Sequence, residues 1–217
     1  MNITLSRGTL FLALSSSTLL FAAGQELDLL AARLDVKASP MHVGGFPETS
    51  EATHLSAFCL RYGYDLAIFG KTCLQLQATY QFQGQATIAP VSSPNYFFGA
   101  PYTYKMDAYA VGMQAQWHYG AQFGIGPELR WERFEDGGIS CSQVRPWLTT
   151  RLGWTLPSSS LTYLVGMEGA WALANSRKSG IWTVDNNGMT VFGQTAGSNL
   201  RSFAPSTGFS LFIGVRL

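Results

Sequence analysis

The chain has 217 residues, 47% of them hydrophobic and only 12% charged, with a formal net charge of +1. That balance is too apolar for a disordered segment and lacks the basic excess of a nucleic-acid binder. Three cysteines cannot staple a disulfide scaffold, while 23 glycines, 14 phenylalanines, 9 tyrosines and 6 tryptophans favour β structure over helix bundles.

Residues 1–24 carry Arg7, then an apolar stretch from Thr9 to Phe21, then Ala22-Ala23-Gly24. Small residues at Ala22 and Gly24 fit the two positions a signal peptidase reads, so the pattern predicts a cleaved signal peptide over 1–24. A membrane anchor fits less well, because three serines interrupt the run and a spanning helix needs ~20 apolar residues. Loss of Arg7 leaves residues 25–217 with equal numbers of acidic and basic side chains and no further long apolar run, which excludes a helical membrane protein.

From Gln25 onward the hydrophobicity alternates with period two, the mark of a strand with one apolar and one polar face. Gln25–Lys37 sets Leu30, Ala32, Leu34 and Val36 against Ala31, Arg33 and Asp35. Thr53–Ala67 sets Phe58, Leu60, Tyr62, Tyr64 and Leu66 against Cys59, Arg61 and Asp65. The clearest case is Thr72–Ala86, where Leu74, Leu76, Ala78, Tyr80 and Phe82 oppose Cys73, Gln75, Gln77, Thr79, Gln81 and Gln83. The same reading holds for Lys105–Tyr119, Ala121–Phe134, Gln143–Leu156, Ser160–Ala174 and Ser206–Leu217. Pro127 breaks the fifth of these eight strands and calls for a bulge around Gly126-Pro127. Leu164 and Phe212 point to the polar side of their strands.

The connections come in two sizes. They are short after strands two, four and six (68–71, Gly120, 157–159) and longer after strands one, three, five and seven (38–52, 87–104, 135–142, 175–205). Within the last, Ile181–Phe192 reads as a hairpin around Asn187-Gly188 with arms too short to span a bilayer. An all-β, eight-stranded antiparallel up-and-down transmembrane β-barrel over 25–217 follows. A lipocalin-like barrel would turn its apolar face inward. Here the apolar face carries aromatics at both ends: Tyr80, Phe82, Tyr109, Trp131, Trp171 and Phe209 toward the long loops, and Tyr62, Tyr64, Trp117, Tyr119, Phe123, Trp154 and Tyr163 toward the short turns. Two girdles around an aliphatic belt match the two membrane interfaces, and so many rings would not fit inside eight strands.

The terminal run Phe209-Ser-Leu-Phe-Ile-Gly-Val-Arg-Leu217 and the strand pattern resemble the small outer-membrane barrels of Gram-negative bacteria, of the OmpA-transmembrane-domain and OmpX type. That family usually ends in phenylalanine, and Leu217 departs from it. The resemblance implies a monomer exported through the periplasm, inserted by the barrel-assembly machinery and surrounded by outer-membrane lipid and lipopolysaccharide. It implies a structural or surface-interaction role. The alternatives are a lipid-modifying barrel enzyme, similar to the lipid A deacylases, and a narrow channel for small solutes.

Polar-face charges place Arg33, Arg61, Glu128, Arg130, Arg151 and Glu168 in an interior ionic network that plugs the barrel, since isolated charges there would be costly. His54-Leu-Ser56 has the His-x-Ser spacing of the lipid A deacylases, but it stands at the loop end of strand two and no glutamate follows at that family's spacing. No catalytic, metal or cofactor residue is therefore expected; His42 and His118 have no partner at metal spacing. Alternation sets Cys73 opposite Asp65 and Cys59 opposite Thr79, too far apart for a disulfide. Loop aromatics Tyr96, Phe97, Phe98, Tyr102, Tyr104, Trp182 and Phe192 are the candidates for surface binding.

Overall fold

The computed structural model describes residues 24–36, 39–43, 46–50, 54–88, 92–93, 96–97, 102–136, 139–157, 161–174, 182–184, 190–192 and 204–216. The expected signal peptide, apart from Gly24, lies outside them, as does Phe98. Eight strands form a closed barrel: β1 Gln25–Val36, β2 Leu55–Phe69, β3 Thr72–Ile88, β4 Tyr102–Tyr119, β5 Ala121–Asp136, β6 Ile139–Pro157, β7 Thr162–Ala172 and β8 Pro205–Arg216. Every strand pairs antiparallel with its chain neighbours, and β1 closes the cylinder by pairing with β8 from Glu26↔Arg216 onward. No helix among the described residues is long and apolar enough to cross a membrane.

The turns at one end are tight because glycine permits them. Gly70 has φ +62° at the first central position between Phe69 and Thr72, as a type II′ hairpin requires. Gly120 alone, at φ +81°, separates the paired residues Tyr119 and Ala121. At the other end the strands run past the expected loop boundaries. β5 and β6 pair as far as Asp136↔Ile139, so the segment expected as a loop over 135–142 is mostly ladder. β3 and β4 pair as far as Ile88↔Tyr102. Short hairpins join Ser39–Val43 to Phe46–Ser50, Ser92–Ser93 to Tyr96–Phe97, and Trp182–Val184 to Thr190–Phe192. The last is the hairpin expected in the long 175–205 connection.

The faces follow the alternation in seven strands. Exposed outward are Leu76, Val111, Met113, Leu129, Met167, Leu211 and Ile213, while Gln75, Gln77, Gln114, Gln116 and Gln122 are buried inside. The polar lining rules out a lipocalin-like interior. β1 is the exception: Leu30, Ala32 and Leu34 are buried within the barrel, and Leu29, Ala31, Arg33 and Asp35 face out. β3 changes phase at Gln83, which adopts φ +56° at a register shift between Gln81 and Gly84 and faces outward rather than inward. No bulge forms at Pro127. The β4–β5 register is the same on either side of it, Gly112↔Glu128 and Ala115↔Ile125, and only the ladder pairs opposite Gly126 and Pro127 are missing. The close approach there relies on Gly126, since a Cβ would sit 1.9 Å from the Met113 carbonyl oxygen.

Two aromatic girdles encircle the outside. Phe58 lies tilted against Phe82, Phe82 stacks on Tyr80 and Tyr80 on Tyr109, at centroid distances of 6.2, 5.9 and 4.8 Å. Near the turns, Trp117 stacks on Phe123 at 5.7 Å and Lys71 lies over Tyr119. Tyr109 and Trp117 stand eight positions apart on β4, which at ~3.4 Å rise and ~40° tilt separates the girdles by about 21 Å. That is close to the ~25 Å apolar band of outer-membrane barrels.

Candidate functional site

Alternate residues of every strand project into a space too narrow for bulk water, so each interior charge must find a partner there. Near the tight turns, Arg216 donates to Asp65 and lies 3.3 Å from His118 Nε2. Above it sits a lattice of amides. Gln116 Nε2 donates to Gln75 Oε1 at 2.7 Å, Gln122 Nε2 to Gln116 Oε1 at 2.7 Å, and Gln77 Nε2 to Gln75 Oε1 at 2.9 Å. Each amide has both a donor and an acceptor end, so neighbouring glutamines satisfy one another, Gln122 Oε1 excepted.

The arginines lie at mid-height. Arg61 donates Nη2 to Glu168 Oε1 at 2.7 Å, Nη1 to Glu168 Oε2, and Nε to Thr79 at 3.1 Å. Arg151 donates to Asp28 at 2.6 Å, lies 2.7 Å from Glu26, and covers the Phe212 ring at 3.8 Å. Arg130 makes two bonds to Glu128 Oε1 at 2.9 and 2.7 Å. Higher still, Glu132 accepts from Gln143, from two nitrogens of Arg145 and from Trp147 Nε1, at 2.7 to 3.1 Å. Trp147 is sandwiched by Arg130 and Arg145 at 4.2 and 5.1 Å. An apolar cluster of Leu34, Leu55, Tyr104, Met106 and Phe134 fills the loop end.

Five of the six residues expected in the ionic network, Arg61, Glu128, Arg130, Arg151 and Glu168, project into this interior, each 8% exposed or less. Arg33 does not: it faces outward, opposite Ser56. The expected set held four arginines against two glutamates, an imbalance a narrow barrel cannot hold. With β1 turned the other way, Glu26 and Asp28 enter to meet Arg151 and Arg33 leaves. Glu132 and Arg145 were also missed. Both share the parity of recognised polar-face residues, and a charge count would have found them.

Of the loop candidates, Tyr104 is misplaced. It is a strand residue with no exposed surface, packed inside against Phe134 at 6.1 Å. Tyr102 heads β4. Tyr96 and Phe97 lie in a two-residue strand, Trp182 and Phe192 are paired across their hairpin, and the side chains of these five residues lie outside the described ones. Cys59 and Cys73 are buried and unbridged. Cys59 pairs with Gln81 and Cys73 with Ile68, a register two to three residues from the expected one, because the turn is the two residues Gly70-Lys71 and a further one-residue shift falls between Asp65 and Ala67.

On the outer face near the loop end, His54 Nδ1 lies 2.8 Å from Asp35 Oδ1, and Thr207 donates to Asp35 Oδ2 at 3.3 Å. Beside them is a groove of about 610 Å³ lined by Arg33, His54, Ser56, Phe58, Phe209 and Leu211 among others. Among the described residues no group of His, Cys, Asp and Glu is placed to hold a metal ion.

No family model and no curated protein matches the chain. Among solved structures it is similar to Neisserial surface protein A, at 12% identity and a TM-score of 0.46, over 90% of this chain and 97% of that one. It is similar also to Ail, the attachment invasion locus protein of Yersinia pestis, at 9% identity and a TM-score of 0.32, over 90% of this chain and 99% of that one. A second structure of Ail, in complex with the heparin analogue sucrose octasulfate, gives 10% identity and a TM-score of 0.37 over the same shares.

Proposed function

We propose that the chain is a monomeric integral protein of a Gram-negative outer membrane, with a sealed interior and a structural or surface-interaction role exercised at the loop end. The observation that carries this reading is the outer belt of exposed Leu, Val, Ile and Met between two aromatic girdles. Soluble monomers do not leave a continuous apolar surface of that size in water. Export by the signal peptide over 1–24, insertion by the barrel-assembly machinery through the alternating segment Phe209–Leu217, and contact with lipid and lipopolysaccharide follow from it. The interior favours a plug over a channel, because the arginines, carboxylates and glutamines named above are paired across the lumen.

Two measurements test the reading. The unheated protein should migrate differently from the boiled one on a denaturing gel and should fractionate with outer-membrane lipid. A processed chain soluble without detergent would refute it. In planar bilayers the plug predicts no steady conductance, whereas a reproducible single-channel step would favour the narrow channel.

A further inference from the structure

The two ends of the chain meet at one seam, where β1 pairs with β8 from Glu26↔Arg216 to Asp35↔Thr207. Every other neighbouring pair is consecutive in the chain, whereas this one closes a loop through all the strands between. It therefore carries the largest closure cost in chain entropy. Its own side-chain pairing is thin. On the lumenal side Asp28, Ala32 and Leu34 of β1 face Gly214, Ser210 and Gly208 of β8, and only Leu30↔Phe212 sets two large side chains together.

The interior ion pairs are spread unevenly around the cylinder. Arg130 pairs with Glu128 on its own strand, and Arg145 with Glu132 on the adjacent one. Three other arginines meet acids on strands that are not their neighbours, and among the described residues all three pairs cross the seam. Arg216 of β8 reaches over β1 to Asp65 of β2. Arg61 of β2 reaches over β1 and β8 to Glu168 of β7 at 2.7 Å. Arg151 of β6 reaches over β7 and β8 to Asp28 of β1 at 2.6 Å. Glycines keep these crossings open: a Cβ on Gly214 would come 2.0 Å from Asp28 Oδ1, and one on Gly24 3.2 Å from Asp65 Oδ2. Outside, at the loop end, Asp35 of β1 accepts from the Thr207 hydroxyl of β8 at 3.3 Å and lies 2.8 Å from His54 Nδ1 of β2. The seam is thus tied at its turn end, at mid-height and at its loop end.

We infer that these groups form a clasp, so that the cylinder opens and closes between β1 and β8 and the clasp sets how fast it opens. Parting β1 from β8 means separating three buried ion pairs together, each stranding charge in a space that water does not reach. The strand pair that is weakest in its own packing is the one most heavily held by charge. A barrel built this way is long-lived because its opening is slow. The inference concerns the cylinder itself and does not depend on the surface role proposed above.

Amide exchange of the full chain folded in detergent micelles, read by mass spectrometry of its peptides, tests the clasp. Arg216→Met should speed exchange in β1 and β8 by about tenfold or more, while β4 and β5, which lie opposite the seam, stay near the intact chain. Gly214→Ala, which drives Asp28 away from Arg151, should do the same. Arg130→Met breaks a buried pair confined to one strand, and its exchange should rise in β5 ahead of β1 and β8. Should both seam variants lose the heat-dependent gel shift, Asp35→Asn decides, because that exposed side chain can be changed without disturbing the interior. It should speed exchange only at the loop end of β1 and β8. Folded seam variants whose β1 and β8 exchange is unchanged, or rises equally in all eight strands, overturn the inference, as does an Asp35→Asn chain indistinguishable from the intact one.

Discussion

At the scale of single residues, the interior is governed by the cost of unpaired charge. Arg61 and Glu168 are both almost fully buried and share two hydrogen bonds. Arg61→Met should strand Glu168 and destabilise the barrel by about 3–5 kcal/mol, measured by urea unfolding from vesicles. Arg61→Met with Glu168→Met together should recover most of that loss, because the pair is removed rather than broken. Trp147 is held differently, by stacking between two guanidinium groups and by one bond to Glu132. Trp147→Phe keeps the ring and loses the N–H, and should cost about 1–3 kcal/mol by the same measurement. The thiols of Cys59 and Cys73 face inward and are buried. A maleimide should therefore leave both unmodified in the folded barrel and react with both after unfolding, as read by peptide mass.

At the scale of the strand, strict alternation works where large apolar side chains occupy one parity only. Val111, Met113, Ala115 and Trp117 against Gln114 and Gln116 leave β4 a single orientation. β1 is ambiguous, because Leu27 and Leu29 stand on one parity and Leu30 and Leu34 on the other. Its charges decide: turning the even positions outward would put Glu26 and Asp28 on the lipid side and leave Arg151 without an anion. Close strand approach is the other constraint at this scale. Gly126→Val would drive a Cβ against the Met113 carbonyl, and a closed barrel has no free edge along which β4 could retreat. The expected outcome is a chain that fails to fold, seen as loss of the heat-dependent gel shift, while Gly70→Asn should be tolerated, since nothing lies within 4 Å of a Cβ there and asparagine accepts a positive φ.

At the scale of the whole molecule, the barrel and its loop-end appendages are separable. The β7–β8 ladder runs unbroken from Thr162↔Arg216 to Trp171↔Thr207 without help from the hairpin of Trp182–Phe192. Deletion of 178–195 should leave the gel shift and urea midpoint near those of the intact chain, while removing whatever surface adhesion or phage sensitivity the protein confers. An unfolded deletion variant would show that the hairpin supports the cylinder instead. The girdle separation makes the further prediction that refolding proceeds more completely in bilayers of about 21–25 Å apolar thickness than in thicker ones, because mismatch exposes the belt to water.

The closed eight-strand cylinder, its outward-facing apolar belt and most of its lining were legible in the linear chain, because period-two alternation is a local property and a barrel repeats it strand after strand. Which acid meets which base was not, since Arg61 and Glu168 come from strands on different sides of the cylinder. The same holds for His54 on the outer face: among the described residues Asp35 of the preceding strand lies beside it, and cross-strand register places the two side chains 2.8 Å apart. Alternation tells each residue inside from outside, but a contact between strands depends on stagger and closure, which only the folded barrel supplies.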